Sequence, residues 1–326
     1  MKNIKSIIIS RTDNLGDVVL TLPLCGILKE AFPSVKIIFI GKAYTKPLIQ
    51  LCAFVDEFID REDIISGKTK LYADAIVNVF PDEPVAVAAF KAGVGVRIGT
   101  SHRWFHWFTC NRLVNFTRRK SDLHESQLNI KLLKPLGINT TFELAGLEKY
   151  YGFEHIFKKE TNQKIRIILH PKSKGSAREW KLENYFQLAN QLDQNRFEIY
   201  VTGTKAEGEK IWSEMPNFFQ DSPAIDVTGK FSLAELLVFI QSTDVLIACS
   251  TGPLHIAAAF GKLAIGFFPS VVPMHAGRWK PIGENVKIFA LEKYCIDCKH
   301  IHNCACINSF EAKEVVDYIS ESLILR

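Results

Sequence analysis

Apolar residues in this chain fall into short β-branched runs separated by segments of helical spacing. The runs are IKSIIIS (4–10), VKIIFIG (35–41), ADAIVNVF (73–80), IRIILH (165–170), FEIYVTG (197–203) and DVLIACS (244–250), each a predicted buried strand, with LAIGFF (263–268) as a further one. Such alternation is the βαβ signature, so the predicted class is α/β with parallel sheets covered by helices. The polar stretch KKETNQK (158–164) reads as a linker between residues 1–157 and 165–326, two halves that are candidates for a shared fold.

Composition narrows this only a little. The chain has 326 residues, 47% of them hydrophobic and 23% charged, which suits two full cores and argues against disorder. A net charge of +5 favours acidic substrates or an anionic surface over a nucleic-acid grip. The N-terminal apolar run is too short for a signal segment and no stretch is long enough to span a bilayer, so the expectation is a cytoplasmic protein. Cys25, Cys52, Cys110 and Cys249 lie scattered in apolar or mixed surroundings, as buried thiols do in reducing compartments.

In open parallel sheets, ligands bind beyond the carboxyl ends of the strands. The first such turn is RTDNLGDVV (11–19), with one glycine and no lysine, so neither a dinucleotide nor a P-loop fingerprint applies. Gly93, Gly95 and Gly99 of GVGVRIG are also wrongly spaced. Asp17 has two readings: it completes a capping box with Asn14 or favours the helix dipole, or, if the regular helix starts only near Leu22 ahead of Pro23, it faces a substrate from a loop or short turn. In the second half, HPKSKGSAREW (170–180) offers Lys172, Ser173, Lys174, Ser176 and Arg178 either to phosphate oxygens or to solvent. Ser250, Thr251 and Gly252 lead into Pro253 at the first position of a helix, a turn that would expose free N–H groups to an anion. Two such turns in one half suggest a diphosphate. The sequences DLHE (122–125) and SLAE (232–235) read as plain capping boxes.

Together RTDNLGDVVLTLPL, HPKSKGSAREWKLENY and STGPLHIAAAFGK, with VRIGTSHRW, HESQLNIKLLKPLG, VTGTKAE and VTGKFSLAEL, resemble glycosyltransferase family 9, the lipopolysaccharide heptosyltransferases, along nearly the whole chain. That resemblance implies a GT-B fold, two Rossmann-like domains facing across a cleft, with residues 1–157 taking the acceptor and 165–326 the nucleotide-sugar; the last helix can pack back on the first domain. It implies inverting transfer of heptose from ADP-heptose without a catalytic metal, onto a lipid-linked acidic glycan. Asp17 falls on the family's proposed general base, with Asn14 and Gly16 beside it on the acceptor side. Ser173, Ser176, Arg178, Ser250, Thr251, Gly252, Leu254 and His255 fall on donor contacts. Glu207 matches a glutamate near the ribose, against the plainer reading of a solvated helix-start charge, and His255 also has a purely structural reading. The chain departs from the family at Ser250, where an aspartate is usual, which leaves other nucleotide-sugars open as donors.

Residues 97–120 mix arginines with Trp104, Phe105, Trp107, Phe108 and Phe116 and hold no acid. This pattern fits an anionic membrane or a phosphorylated lipid glycan, with Arg97 and Arg103 as acceptor candidates, or else a core segment with solvated cations; no motif supports nucleic acid. The expected location is the cytoplasmic face of the inner membrane. Cys295, Cys298, Cys304 and Cys306 of CIDCKHIHNCAC are candidate ligands of a structural zinc, against free thiols or a redox pair, because a C-x-C half-site is cramped. Two other classes remain: a nucleotide-sugar epimerase or dehydrogenase, which would need the missing glycine-rich turn, and a non-catalytic lipid-glycan binding protein, which would have no use for Asp17.

Overall fold

Each apolar run named above is a strand in the computed structural model, which describes residues 4–118, 121–153, 164–292, 295 and 305–324. The chain divides into two units, Met1–Glu154 and His155–Arg326. In the first, strands β1 (Ser6–Ser10), β2 (Lys36–Gly41), β3 (Glu57–Asp60), β4 (Ala75–Asn78), β5 (Val96–Thr100) and β6 (Arg112–Val114) form one parallel sheet in the order β3-β2-β1-β4-β5-β6. In the second, β7 (Ile165–His170), β8 (Phe197–Val201), β9 (Ile225–Asp226), β10 (Val245–Cys249), β11 (Leu263–Phe267) and β12 (Val286–Phe289) form another, in the order β12-β11-β10-β7-β8-β9. Renumbered from its own first strand, the second order is the first read backwards. Both halves therefore carry the doubly wound nucleotide-binding topology, the α/β class expected from the sequence.

The strands that sequence reading passed over (β3, β5, β6, β9 and β12) all lie away from the two central strands of their sheets. Such strands are buried less, so their sequences lose the continuous apolar signal; β3 is half-buried throughout, whereas Ile7, Ile8 and Ile9 of β1 are wholly buried. β5 runs through GVGVRIG, and Gly99 has a packing reason. A Cβ there would lie 2.7 Å from His106 Nδ1 and 2.9 Å from Cys110 Sγ, so only glycine lets the turn His106–Thr109 lie flat against the strand.

In the second core Trp180 stacks on Phe267 at 4.1 Å between ring centroids, and the last helix, Ala312–Ile324, packs on the helix Leu182–Gln191 of the same unit. Cys25, Cys52, Cys110 and Cys249 are buried free thiols. The SLAE box forms between Ser232 and Glu235 as expected. DLHE does not: the helix Glu125–Lys131 is capped by His124, whose ring accepts from Ser126 N while Gln127 accepts from His124 N. This shift by two residues leaves the Glu125 carboxylate inside the protein instead of on its own helix end. Among the described residues no helix is long and apolar enough to cross a membrane.

Candidate active site

A doubly wound sheet has one place where neighbouring central strands send their chains in opposite directions, and ligands bind outside the carboxyl ends there. In the first unit that place lies between β1 and β4, in the second between β7 and β10. The segments that follow β1, β7 and β10 are Arg11–Asp17, Lys172–Arg178 and Ser250–His255, so the sheet topology alone delivers most of the candidate residues to two switch points.

At the first switch point the chain leaves β1 through Arg11, whose side chain is 4% exposed. Its Nε donates to Asp13 Oδ1 at 2.7 Å, its Nη1 to Glu125 Oε1 at 3.2 Å and to Asn129 Oδ1 at 3.4 Å, and its Nη2 is paired with Asp17. Arg118 reaches the same acceptors, Glu125 Oε1 at 3.0 Å and Asn129 Oδ1 at 2.9 Å. Asp17 sits in the single helical turn Leu15–Val19, ahead of a separate helix starting at Pro23. It forms no capping box: Asn14 is the N-cap residue, is exposed, and makes no side-chain cap bond, while the Asp17 carboxylate turns to Arg11. Its own backbone carbonyl accepts from Thr21 Oγ1 at 2.8 Å, which fixes the turn. Gly16 is half-buried beside it.

Burial pushes the Asp17 carboxyl up to about 6, Arg11 pulls it down, and the charges of Asp13 and Glu125 push it up again. The guanidinium is shared by at least three carboxylates, so it cannot offset the lost hydration of each one. Arg11 itself stays protonated: burial lowers its value, but Asp17, Asp13 and Glu125 together hold it above the ordinary one. With its side chain 14% exposed, Asp17 is the member of this cluster that combines a near-neutral titration with access from outside. Tyr44 leans over the same place, its hydroxyl donating to the Asp13 carbonyl at 3.1 Å, and burial followed by the charges of Asp13 and Asp17 raises its phenol.

At the second switch point the loop after β7 is braced by its own groups, although its tip, Lys174 to Ser176, is exposed. Glu179 accepts from Ser173 N at 2.9 Å and from Ser173 Oγ at 2.9 Å, and Ser176 Oγ donates to the Ser173 carbonyl at 2.7 Å. Lys172, read as a phosphate cation, is buried in ion pairs with Glu179 and Glu214; its charge is already matched, so that reading is corrected. The turn passes through Lys174 and Gly175 at positive φ and leads to Arg178, which is buried. Opposite, the helix Gly252–Ala259 begins one residue earlier than expected, with Pro253 in its first turn and Thr251 as N-cap. Thr251 makes no side-chain cap bond, and its buried Oγ1 has no hydrogen-bond partner among the described residues. Such a hydroxyl beside first-turn N–H groups is a donor set for an anion. Ser250 and Gly252 are half-buried there, and Leu254 and His255 are buried. Glu207 is not solvated: it is buried in a capping box, taking Thr204 N at 2.7 Å and Thr204 Oγ1 at 2.8 Å.

Arg97 is held by structure, its Nε donating to the Thr109 carbonyl at 2.7 Å and its Nη1 to the Val94 carbonyl at 2.5 Å, so its part as an acceptor contact is weakened; Arg103 is exposed. Of the zinc candidates, Cys298 and Cys304 lie outside the described residues, Cys295 is half-buried and Cys306 is buried. Among the described residues no group of three or more His, Cys, Asp or Glu could hold a metal ion. Sequence reading missed Arg11, Asp13, Tyr44 and the Glu125–Asn129 pair. A usable signal existed: a charged residue directly after a strand built on three buried isoleucines, and Glu125, Ser126 and Asn129 at helical spacing on a face that is otherwise buried.

The description "Glycosyltransferase family 9 (heptosyltransferase)" matches residues 82–306. A Haemophilus influenzae protein named only as a candidate glycosyltransferase is 26% identical over 86% of this chain and 87% of its own length. The lipopolysaccharide core heptosyltransferase OpsX of the same organism is 22% identical, covering 87% and 85%. Among solved structures, Escherichia coli heptosyltransferase WaaC with ADP superposes with a TM-score of 0.75 at 15% identity, over 97% of this chain and 99% of that one, a likeness that shows a GT-B-like fold. With a family match over well more than half its length and two parallel sheets of the expected topology, the chain belongs to glycosyltransferase family 9.

Proposed function

We propose that this protein is an inverting, metal-independent glycosyltransferase that moves heptose from ADP-heptose onto a lipopolysaccharide core or a related acidic lipid-linked glycan, at the membrane face that carries it. The observation that carries the reading is Asp17, a carboxylate buried on Arg11, raised to about 6 and still accessible. In the reaction the acceptor oxygen attacks the anomeric carbon from the side opposite the diphosphate. Its C–O bond forms as the bond from that carbon to the phosphate oxygen breaks, and the acceptor proton passes to a carboxylate oxygen of Asp17. The departing diphosphate keeps the electron pair, and Arg178, Thr251 Oγ1 and the first turn of the helix Gly252–Ala259 supply its positive and donor contacts. Asn14 and Gly16 line the acceptor side, with Arg103 a contact for acceptor anions. Ser173 and Ser176 shape the donor loop and Glu207 the ribose side.

Support for the donor is the resemblance of the second switch point to a family in which WaaC is described with ADP. A nucleotide panel tests it: thermal unfolding with ADP, UDP, GDP, CMP and NAD, each at about 100 times a plausible Kd, where selective binding adds about 2.7 kcal/mol. A selective shift with ADP is expected. A shift with UDP or GDP alone would keep the transferase and replace the sugar, with Ser250 the first residue to exchange; a shift with NAD alone would overturn the reading.

A further inference from the structure

From Pro84 to Ser121 the chain has seven lysines and arginines and no aspartate or glutamate, although the whole protein is nearly balanced at 40 basic to 35 acidic residues. Within this stretch lies a helical turn that is apolar on both sides. Phe105 and His106 face inward, His106 Nδ1 lying 3.0 Å from the Thr100 carbonyl against Gly99, so the turn is pinned to β5. Trp104, Trp107 and Phe108, at helical spacing i, i+3 and i+4, face outward and are 68%, 63% and 73% exposed.

A helix that buries one face normally turns polar residues outward. Here the outward face is aromatic, and it is built firmly. Trp107 Nε1 donates to the Ser101 carbonyl at 2.9 Å, and the Trp104 ring stands edge-on to Phe105 and Phe108 at 6.1 and 6.5 Å between centroids. Arg97 ties in a fourth ring, lying 5.3 Å from the centre of exposed Phe90 while it donates to the Thr109 carbonyl. Lys91, His102, Arg103 and Arg112 are exposed on the same segments. Single exposed apolar residues are ordinary, but a cluster of rings set among cations is an interaction surface.

We infer that the Trp104–Phe108 turn, with Phe90 and its surrounding cations, is a docking surface for an anionic phospholipid bilayer. Amphipathic rings and long cationic side chains suit the headgroup layer, where rings enter the apolar boundary and each Lys or Arg is drawn to the negative surface. A second copy of the chain fits less well, since a symmetric contact would set the same cations against each other. The inference extends the proposed transfer to a lipid-linked acceptor by naming the surface that meets the lipid.

The test is co-sedimentation of the full-length protein with vesicles of phosphatidylcholine alone and of equimolar phosphatidylcholine and phosphatidylglycerol, without nucleotide or glycan. The protein is expected to partition onto the phosphatidylglycerol vesicles, and to come off as salt rises to about 1 M, where the screening length is about 3 Å. Trp104→Ser with Phe108→Ser is expected to lower that partition coefficient by about 10- to 100-fold. Arg103→Gln with Arg112→Gln should remove about a tenfold preference for the anionic vesicles. Tyr72→Ser, which removes an exposed aromatic outside this stretch, should leave both unchanged. All variants should keep the wild-type melting temperature, because the altered side chains face solvent. Equal binding to both vesicles, or no loss in the aromatic variant, would overturn the inference. So would a dimer in sedimentation velocity, or binding to an RNA oligonucleotide, that the aromatic variant alone abolishes. Neither substrate is present, so failure here leaves the transferase reading standing, and a catalytic failure leaves the docking surface standing.

Discussion

The two switch points are the same place in the same topology, and they are chemically opposite. Between β1 and β4, charges are concentrated: Arg11 is buried under Asp13, Asp17 and Glu125, with Arg118 on the far side. Between β7 and β10 they are dispersed: Lys172 is drawn off by Glu179 and Glu214, the loop serine hydroxyls bond within the loop, and a buried threonine hydroxyl at a helix start is left without a hydrogen-bond partner among the described residues. The difference teaches that topology fixes where a ligand goes and side chains fix what happens to it. A proton acceptor needs a carboxylate whose charge is uncomfortable; a diphosphate site needs donors that are not already satisfied.

The largest effect should come from removing the uncomfortable charge. Asp17→Asn keeps the shape of the side chain and loses the base, so kcat should fall by about 10²–10⁴ with donor binding intact. The same variant should be more stable. The folded Asp17 holds its proton more tightly than an unfolded one, so its contribution to stability is fully present below the unfolded value near 3.8 and is lost as pH rises through about 6. At pH 7 the ionised group therefore costs up to about 3 kcal/mol, and Asn should raise Tm by roughly 2–8 °C. A residue placed for capping or dipole alone would give the reverse pattern, with turnover kept and Tm lowered. Calorimetry and a transfer assay on one preparation separate the two.

The second switch point should respond in substrate affinity instead. Arg178→Met is expected to raise the donor KM by about 10- to 100-fold, the worth of one charged hydrogen bond to phosphate, with kcat reduced less. Lys172→Met, only six residues earlier, should leave the donor KM unchanged and lower stability by about 1 kcal/mol, because its charge serves Glu179 and Glu214. If Lys172→Met raised the donor KM as much as Arg178→Met, the assignment of Lys172 to structure would fail.

How far the sequence could be read follows the same division. The central strands are buried over most or all of their length, so β1, β4, β7 and β10 stand out as apolar runs, and the turns after β1, β7 and β10 point to Asp17, Arg178 and Thr251 without any coordinates. What was illegible depends on contacts between distant residues. The link from Arg11 to Glu125 spans 114 positions, and Arg118 looks like one more solvated cation until the fold brings it to Asn129. Local grammar also misled: DLHE has the letters of a capping box, but His124 takes that role, and the glutamate so released belongs to the site. At Glu207 it is the plainer reading that fails: the charge is not solvated but buried, its carboxylate accepting from Thr204.

The smallest effect, and the sharpest test of the concentrated site, is a shift along the pH axis. If Asp17 is the base, kcat/KM should rise with pH and level off above about 6, since only the ionised carboxylate accepts the proton. Glu125 makes no hydrogen bond to Asp17, yet its negative charge is among those that raise it, and it draws on the same Arg11. Glu125→Gln removes that charge, keeps an oxygen for Arg11 and Arg118, and leaves the guanidinium freer to stabilise ionised Asp17. The acid limb should therefore move to lower pH, by about one unit or less, each unit corresponding to 1.36 kcal/mol of interaction. The plateau rate should fall only slightly, because a weaker base transfers the proton with less driving force. A fall in the plateau with the limb unmoved would mean that Glu125 only braces the helix Glu125–Lys131, and that the charges around Arg11 do not tune the base.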